Sequence, residues 1–138
     1  MGSSRMAREP IKPGMGDIGE HALKTLVEEI LEAVKPIEED LGRENLRQFY
    51  DSYLQTTSAN VARLKELLAA ERGLEFAMAA HALKGSSSMF GLGSVQALCL
   101  ELEDLGHVSD FASAAVRLQR LEREMPMVYA ALEYCRRF

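Results

Sequence analysis

The chain has 138 residues, 47% of them hydrophobic and 27% charged, with a formal net charge of −5, which suits one globular domain with a core of its own. The acidic balance and the lack of any dense Lys/Arg run (Arg136-Arg137 comes nearest) exclude a phosphate-backbone binder, so nucleic acid is not an expected partner. No stretch nears the ~18 consecutive apolar residues of a membrane span, and the opening residues lack a signal peptide's apolar segment.

A cytoplasmic location without direct membrane insertion is therefore expected, with Cys99 and Cys135 as reduced thiols. Residues 1–16, which contain Gly and Pro and open on Met1-Gly2-Ser3-Ser4 like an expression remnant, read as a disordered or added leader. Residues 17–138 read as a single domain.

Helical periodicity dominates from there. The first helix is predicted from Ile18 to Lys35, with Leu23, Leu26, Val27, Ile30, Leu31 and Val34 on one face; Pro36 should end or kink it. A longer helix follows from Gly42 to Glu71, striped by Leu46, Phe49, Tyr50, Tyr53, Thr57, Val61, Leu64, Leu67 and Leu68, with Gly73 at the turn. The third helix spans Leu74 to Phe90 and contains His81.

The Gly91-Leu92-Gly93 turn breaks the third helix, and Ser94 or Gly93 should cap a fourth that runs to Leu105, with Gly106 terminating it. Ser109 or Asp110 caps the last helix, in which Pro126 predicts a kink or two abutting helices. Short connections imply antiparallel neighbours. The expected fold is all-α: an antiparallel, up-down four-helix bundle with an additional N-terminal helix.

One residue does not belong to this core. On the third helix Phe76, Ala79, Ala80, Leu83, Ser87 and Phe90 share a face. At ~100° per residue Leu83 lies about 160° from His81, so His81 should point outward at mid-helix. Leu74, Ala77, Met78, Lys84, Gly85 and Ser88 should surround it. Gly85 costs a helix ~1 kcal/mol relative to Ala, a cost that makes sense if something bulky must approach the imidazole. Lys84, at i+3, can reach over the same turn and favour a dianionic phosphoryl group. A free imidazole, with pKa ~6.5, is mostly neutral and nucleophilic at cellular pH.

The run His81-Ala82-Leu83-Lys84-Gly85-Ser86-Ser87-Ser88-Met89-Phe90-Gly91-Leu92 resembles the phosphoacceptor segment of histidine phosphotransfer (HPt) domains, which read His, any residue, Leu, Lys, Gly, Ser, a small residue, then a Gly-containing turn. Leu98-Cys99 and Leu102-Glu103 are similar to the Cys-x-x-Leu-Glu of that family's next helix. The resemblance implies a bundle whose histidine takes a phosphoryl group from a receiver-domain aspartate and passes it to another. Carried over by position, His81 is the phosphoacceptor, Lys84 the phosphoryl-orienting cation and Gly85 the clearance position. Leu74, Ala77, Met78 and Ser88 are expected to meet the partner.

Response-regulator receiver domains and a sensor histidine kinase are the implied partners. No cofactor or metal is expected in the chain itself, Mg²⁺ belonging to the partner receiver site. The protein would carry phosphoryl groups without ATP-dependent kinase activity, either free-standing or as the C-terminal domain of a membrane-anchored hybrid sensor kinase.

Other chemistries lack their parts. Ser86 and Ser87 read as hydroxyls bonded back to helix carbonyls rather than as nucleophiles. No Glu or Asp lies three residues before His21, His81 or His107, as a helical carboxylate–histidine metal site would require. Five residues separate Gly85 from Gly91 and no Gly-Lys-Ser/Thr follows, so this is a helix end and not a nucleotide loop. The competing reading is a non-phosphorylated helical interaction module that binds a partner through Leu74 and Met78.

Overall fold

The computed structural model describes the backbone of residues 16–138 and side chains from residue 19 onward. The stretch read as a leader lies, but for Gly16, outside the described residues. Five helices follow in order: α1 (Gly16–Leu41), α2 (Arg43–Ala69), α3 (Gly73–Ser88), α4 (Gly93–His107) and α5 (Phe111–Arg136). Helices α2 to α5 pack in a ring, each against the next and α5 back against α2, while α1 lies against α2 and α5. This is the expected four-helix bundle with an extra N-terminal helix. No helix among the described residues is long and apolar enough to cross a membrane.

The connections are as tight as their residues allow. Gly42 alone joins α1 to α2, at φ +90, a backbone that suits glycine. Gly91 takes φ +66 just beyond α3, and a Cβ there would stand 2.7 Å from the Ala33 side chain of α1. That position needs glycine both for its turn and for the seat of α1. Asp110, one of the two expected caps, accepts the Ser113 backbone N–H at 3.1 Å and so starts α5. Its carboxyl is held below the usual range by that bond. Ser94, by contrast, does not cap α4; its hydroxyl donates to Glu124 of α5 at 2.7 Å.

Both prolines sit inside continuous helices. α1 runs through Pro36 to Leu41, and α5 runs through Pro126 to Arg136. The chain neither stops at Pro36 nor splits in two at Pro126. Each proline lies on an exposed face, where water can serve the carbonyl that the missing N–H would have bonded.

The core sets the rotation of α3. Phe76, Ala80, Leu83, Ser87 and Phe90 are buried to 1% exposure or less. Phe90 stacks on Tyr50 of α2, with ring centroids 5.2 Å apart, and meets Tyr53 edge-on at 5.3 Å. The Tyr53 hydroxyl and Ser87 Oγ, both buried, are hydrogen-bonded at 2.8 Å. Ser87 therefore serves the α2–α3 interface, while Ser86 bonds back to the Leu83 carbonyl at 3.1 Å as its sequence suggested. Cys99 and Cys135 are both free and buried, and burial pushes the Cys99 thiol up to about 12.

At its other end α3 meets α4 through two glycines. A Cβ on Gly73 would lie 2.5 Å from the Gly106 carbonyl oxygen, and one on Gly106 would lie 3.0 Å from the Ala77 nitrogen. Gly106 thus packs two helices together and does not end α4, which continues to His107. The close backbone approach brings the polar edge of α4 beside the outer face of α3.

Candidate functional site

With Phe76, Leu83 and Phe90 turned inward, His81 projects from the middle of α3 with 65% of its side chain exposed. It is not isolated. Both carboxylate oxygens of Glu103, on α4, lie close to its Nδ1, at 3.2 and 3.1 Å. The same carboxylate accepts from Lys84 Nζ at 3.2 Å. Lys84 is 28% exposed and Glu103 only 18%, so the carboxylate is the sheltered hub of a three-residue cluster.

An ionised carboxylate can only accept hydrogen bonds, so the ring nitrogen facing it carries the proton. In the neutral imidazole this leaves Nε2 with the free lone pair. The Lys84 ammonium, followed by His81, holds the Glu103 carboxyl below the usual carboxylate range. The arrangement is an exposed nucleophilic nitrogen with a fixed tautomer and a cation one turn away.

The neighbouring surface is clear of side chains. Gly85 is exposed, and a Cβ built there would meet nothing within 4 Å. Packing against another helix therefore does not explain this glycine. Ser88, also exposed, donates to the Gly85 carbonyl at 2.6 Å.

A sequence model of the Hpt domain matches residues 48–131. The chain belongs to the Hpt domain family. The matched segment takes in most of α2, all of α3 and α4, and most of α5, and leaves α1 outside. Comparison with curated proteins and with solved structures finds no match. Hpt domains are in general phosphoryl carriers of phosphorelays, working with receiver domains and kinases, rather than enzymes.

Within this Hpt domain the residues singled out for a partner separate into two sets. Leu74 and Met78, at 64% and 62% exposure, form an apolar strip that leads along α3 to His81, and Ser88 continues it beyond Gly85. Ala77 does not join them. It is fully buried beneath Gly106, because the glycine contact pulls α4 over this side of the first turns of α3. Ala77 therefore cannot face a partner. Val108, at 71% exposure just past α4, adds an apolar side chain at the end of the bundle where Gly73 and Gly106 meet.

In the sequence Glu103 figures only in the resemblance to the family's next helix, without a role of its own. A signal was available: Glu103 lies four residues after buried Cys99 and next to buried Leu102, an ionisable group at the border of an apolar stripe. Such a carboxylate needs a partner. His21 and His107 are exposed, and among the described residues no group of His, Cys, Asp and Glu could hold a metal ion.

Proposed function

We propose that this Hpt domain accepts a phosphoryl group on Nε2 of His81 from the aspartyl phosphate of a receiver domain and passes it to another receiver aspartate. The observation that carries the reading is the contact of His81 Nδ1 with the Glu103 carboxylate at 3.1 Å. In the transfer the Nε2 lone pair attacks phosphorus, the P–O bond to the partner's aspartate breaks, and that aspartate leaves as a carboxylate. The product ring bears phosphorus on Nε2 and hydrogen on Nδ1, so it is cationic, and Glu103 faces the nitrogen that shares this charge. Departure of the phosphoryl group returns a neutral imidazole, which favours onward transfer.

Lys84 supplies a cation for the phosphoryl oxygens, drawn from its contact with Glu103. Gly85 leaves room for the incoming acyl phosphate, and Leu74, Met78 and Ser88 offer the docking strip. The domain would carry the group from a sensor kinase's relay without drawing it from ATP, and the Mg²⁺ that supports transfer would belong to the receiver.

Incubation with a panel of phosphorylated receiver domains tests this. The expected product is an acid-labile, base-stable phosphate on the chain that is lost in His81→Gln. Label that persists in His81→Gln, or no label from any receiver, would overturn the reading in favour of a non-phosphorylated interaction module.

A further inference from the structure

α1 has two faces, and the bundle covers only one of them. Val27, Ile30 and Val34 are buried in the core. Ala22, Thr25, Leu26 and Glu29 form a second stripe at the i, i+3, i+4, i+7 spacing of one helix side. Ala22, Thr25 and Glu29 are exposed, and Leu26 is half-buried. This stripe is one wall of a groove of about 1070 Å³, closed on its other sides by residues 92–95 around the start of α4 and by residues of α5 between 123 and 130. Leu23, Leu92, Val95 and Val128 give the groove an apolar floor.

Opposite walls of the groove carry opposite charges. Glu29 lines it from α1, and Arg123 lines it from α5. Among the described residues neither forms an ion pair, with the other or with any third group. The other carboxylate of the groove, Glu124, is already engaged: it accepts from the Ser94 hydroxyl at 2.7 Å and lies 3.9 Å from Arg120. One unpaired acid and one unpaired base on the same patch make that patch its own complement. Under a twofold axis, the acid of each copy meets the base of the other.

We infer that a second copy of the chain covers this groove, in a twofold dimer in which α1 of each copy lies in the groove of the other and Glu29 of each pairs with Arg123 of the other. The size agrees. A helix ~10 Å across fills roughly 420 Å³ per turn, so the groove takes about two and a half turns. Residues 21–29, the part of α1 that lines it, have that length. Ala22 and Thr25 are small enough to let two helices come close, and Leu26 supplies apolar surface for the facing floor. α1 lies outside the Hpt match, so this surface is an addition to the common bundle. None of the lining residues belongs to α3, and the inference does not depend on the phosphotransfer reading.

The test is sedimentation equilibrium of the full chain from roughly 1 µM to 1 mM. The mass should rise with concentration from the 15.3 kDa of one chain to twice that value and no further, since a twofold interface closes on itself. Glu29→Arg and Arg123→Glu, both at exposed positions where folding is retained, should each weaken the dimer about tenfold or more, because like charges then face each other twice. An equimolar mixture of the two variants places opposite charges together again and should regain wild-type association, as should the double variant that carries both changes. The rescue separates a second copy from every other occupant. A chain that stays monomeric near 1 mM would leave the groove to a different partner and overturn the inference. A dimer that neither reversal weakens, or a mixture no tighter than its components, would overturn it as well.

Discussion

The Glu103 carboxylate reaches from α4 to within 3.1 Å of Nδ1 of His81 on α3, and this contact fixes which ring nitrogen is free to react. Glu103→Gln keeps the shape and removes the charge. Phosphoryl acceptance should fall roughly tenfold with the loss of a charge-assisted hydrogen bond. The ¹⁵N shifts of the His81 ring should report a mixture of tautomers in place of one. A single Nδ1–H tautomer retained in the variant would remove Glu103 from the mechanism.

The same carboxylate links the site to acid stability. Its folded-state pKa is depressed, first by Lys84 and then by His81. A group shifted this way contributes stability above its unfolded value, ~4.3 for Glu, and loses it as the pH falls through the lower folded value. Below about pH 4 the wild-type urea midpoint should therefore drop more steeply than that of Glu103→Gln. Parallel pH profiles would show that the contact has no energetic weight.

Lys84→Ala should shorten the lifetime of phospho-His81 or slow its transfer, if as proposed its ammonium faces the phosphoryl group. The unfolding midpoint should change little, since partly exposed ion pairs are worth ~0–1 kcal/mol. A phosphate lifetime and transfer rate equal to wild type would make Lys84 an ordinary surface lysine.

At Gly85 stability and transfer should move independently. The open space around its position means that Gly85→Ala should stabilise the domain by a few tenths up to ~1 kcal/mol through helix propensity alone. Gly85→Gln should fold equally well and yet slow phosphotransfer, since its side chain would occupy the space proposed for the incoming acyl phosphate. Denaturation midpoints and transfer rates decide it together. A Gln variant with wild-type transfer would leave the clearance argument without content.

Gly106 should behave in the opposite way. A Cβ there would lie 2.9 Å from the Gly73 carbonyl oxygen and 3.0 Å from the Ala77 nitrogen. Both are backbone atoms that cannot swing aside. Gly106→Ala must therefore push α4 off α3, at about 1–3 kcal/mol by the measure of overpacked cores, and carry Glu103 away from His81. A urea midpoint equal to wild type would show that the two helices can slide without loss.

Much of this was legible in the residues themselves. Five apolar stripes at helical spacing determine five helices, and the stripe through Phe76, Leu83 and Phe90 turns His81 outward with no knowledge of any neighbour. The run from His81 to Leu92 also carries enough of the Hpt pattern to suggest the family. Periodicity describes only one helix at a time, however, and says which side is buried without saying what covers it. Glu103 and His81 are 22 residues apart and meet only because Gly73 and Gly106 let two backbones touch. The same contact buries Ala77, which the wheel of α3 alone had placed outside. Pro36 and Pro126 break the helical rule locally, but they lie on exposed faces, where water can take up the freed carbonyls. Helix count and the outward histidine follow from local spacing; the tautomer of that histidine, and the face its partner can meet, were decided by how closely α4 packs on α3.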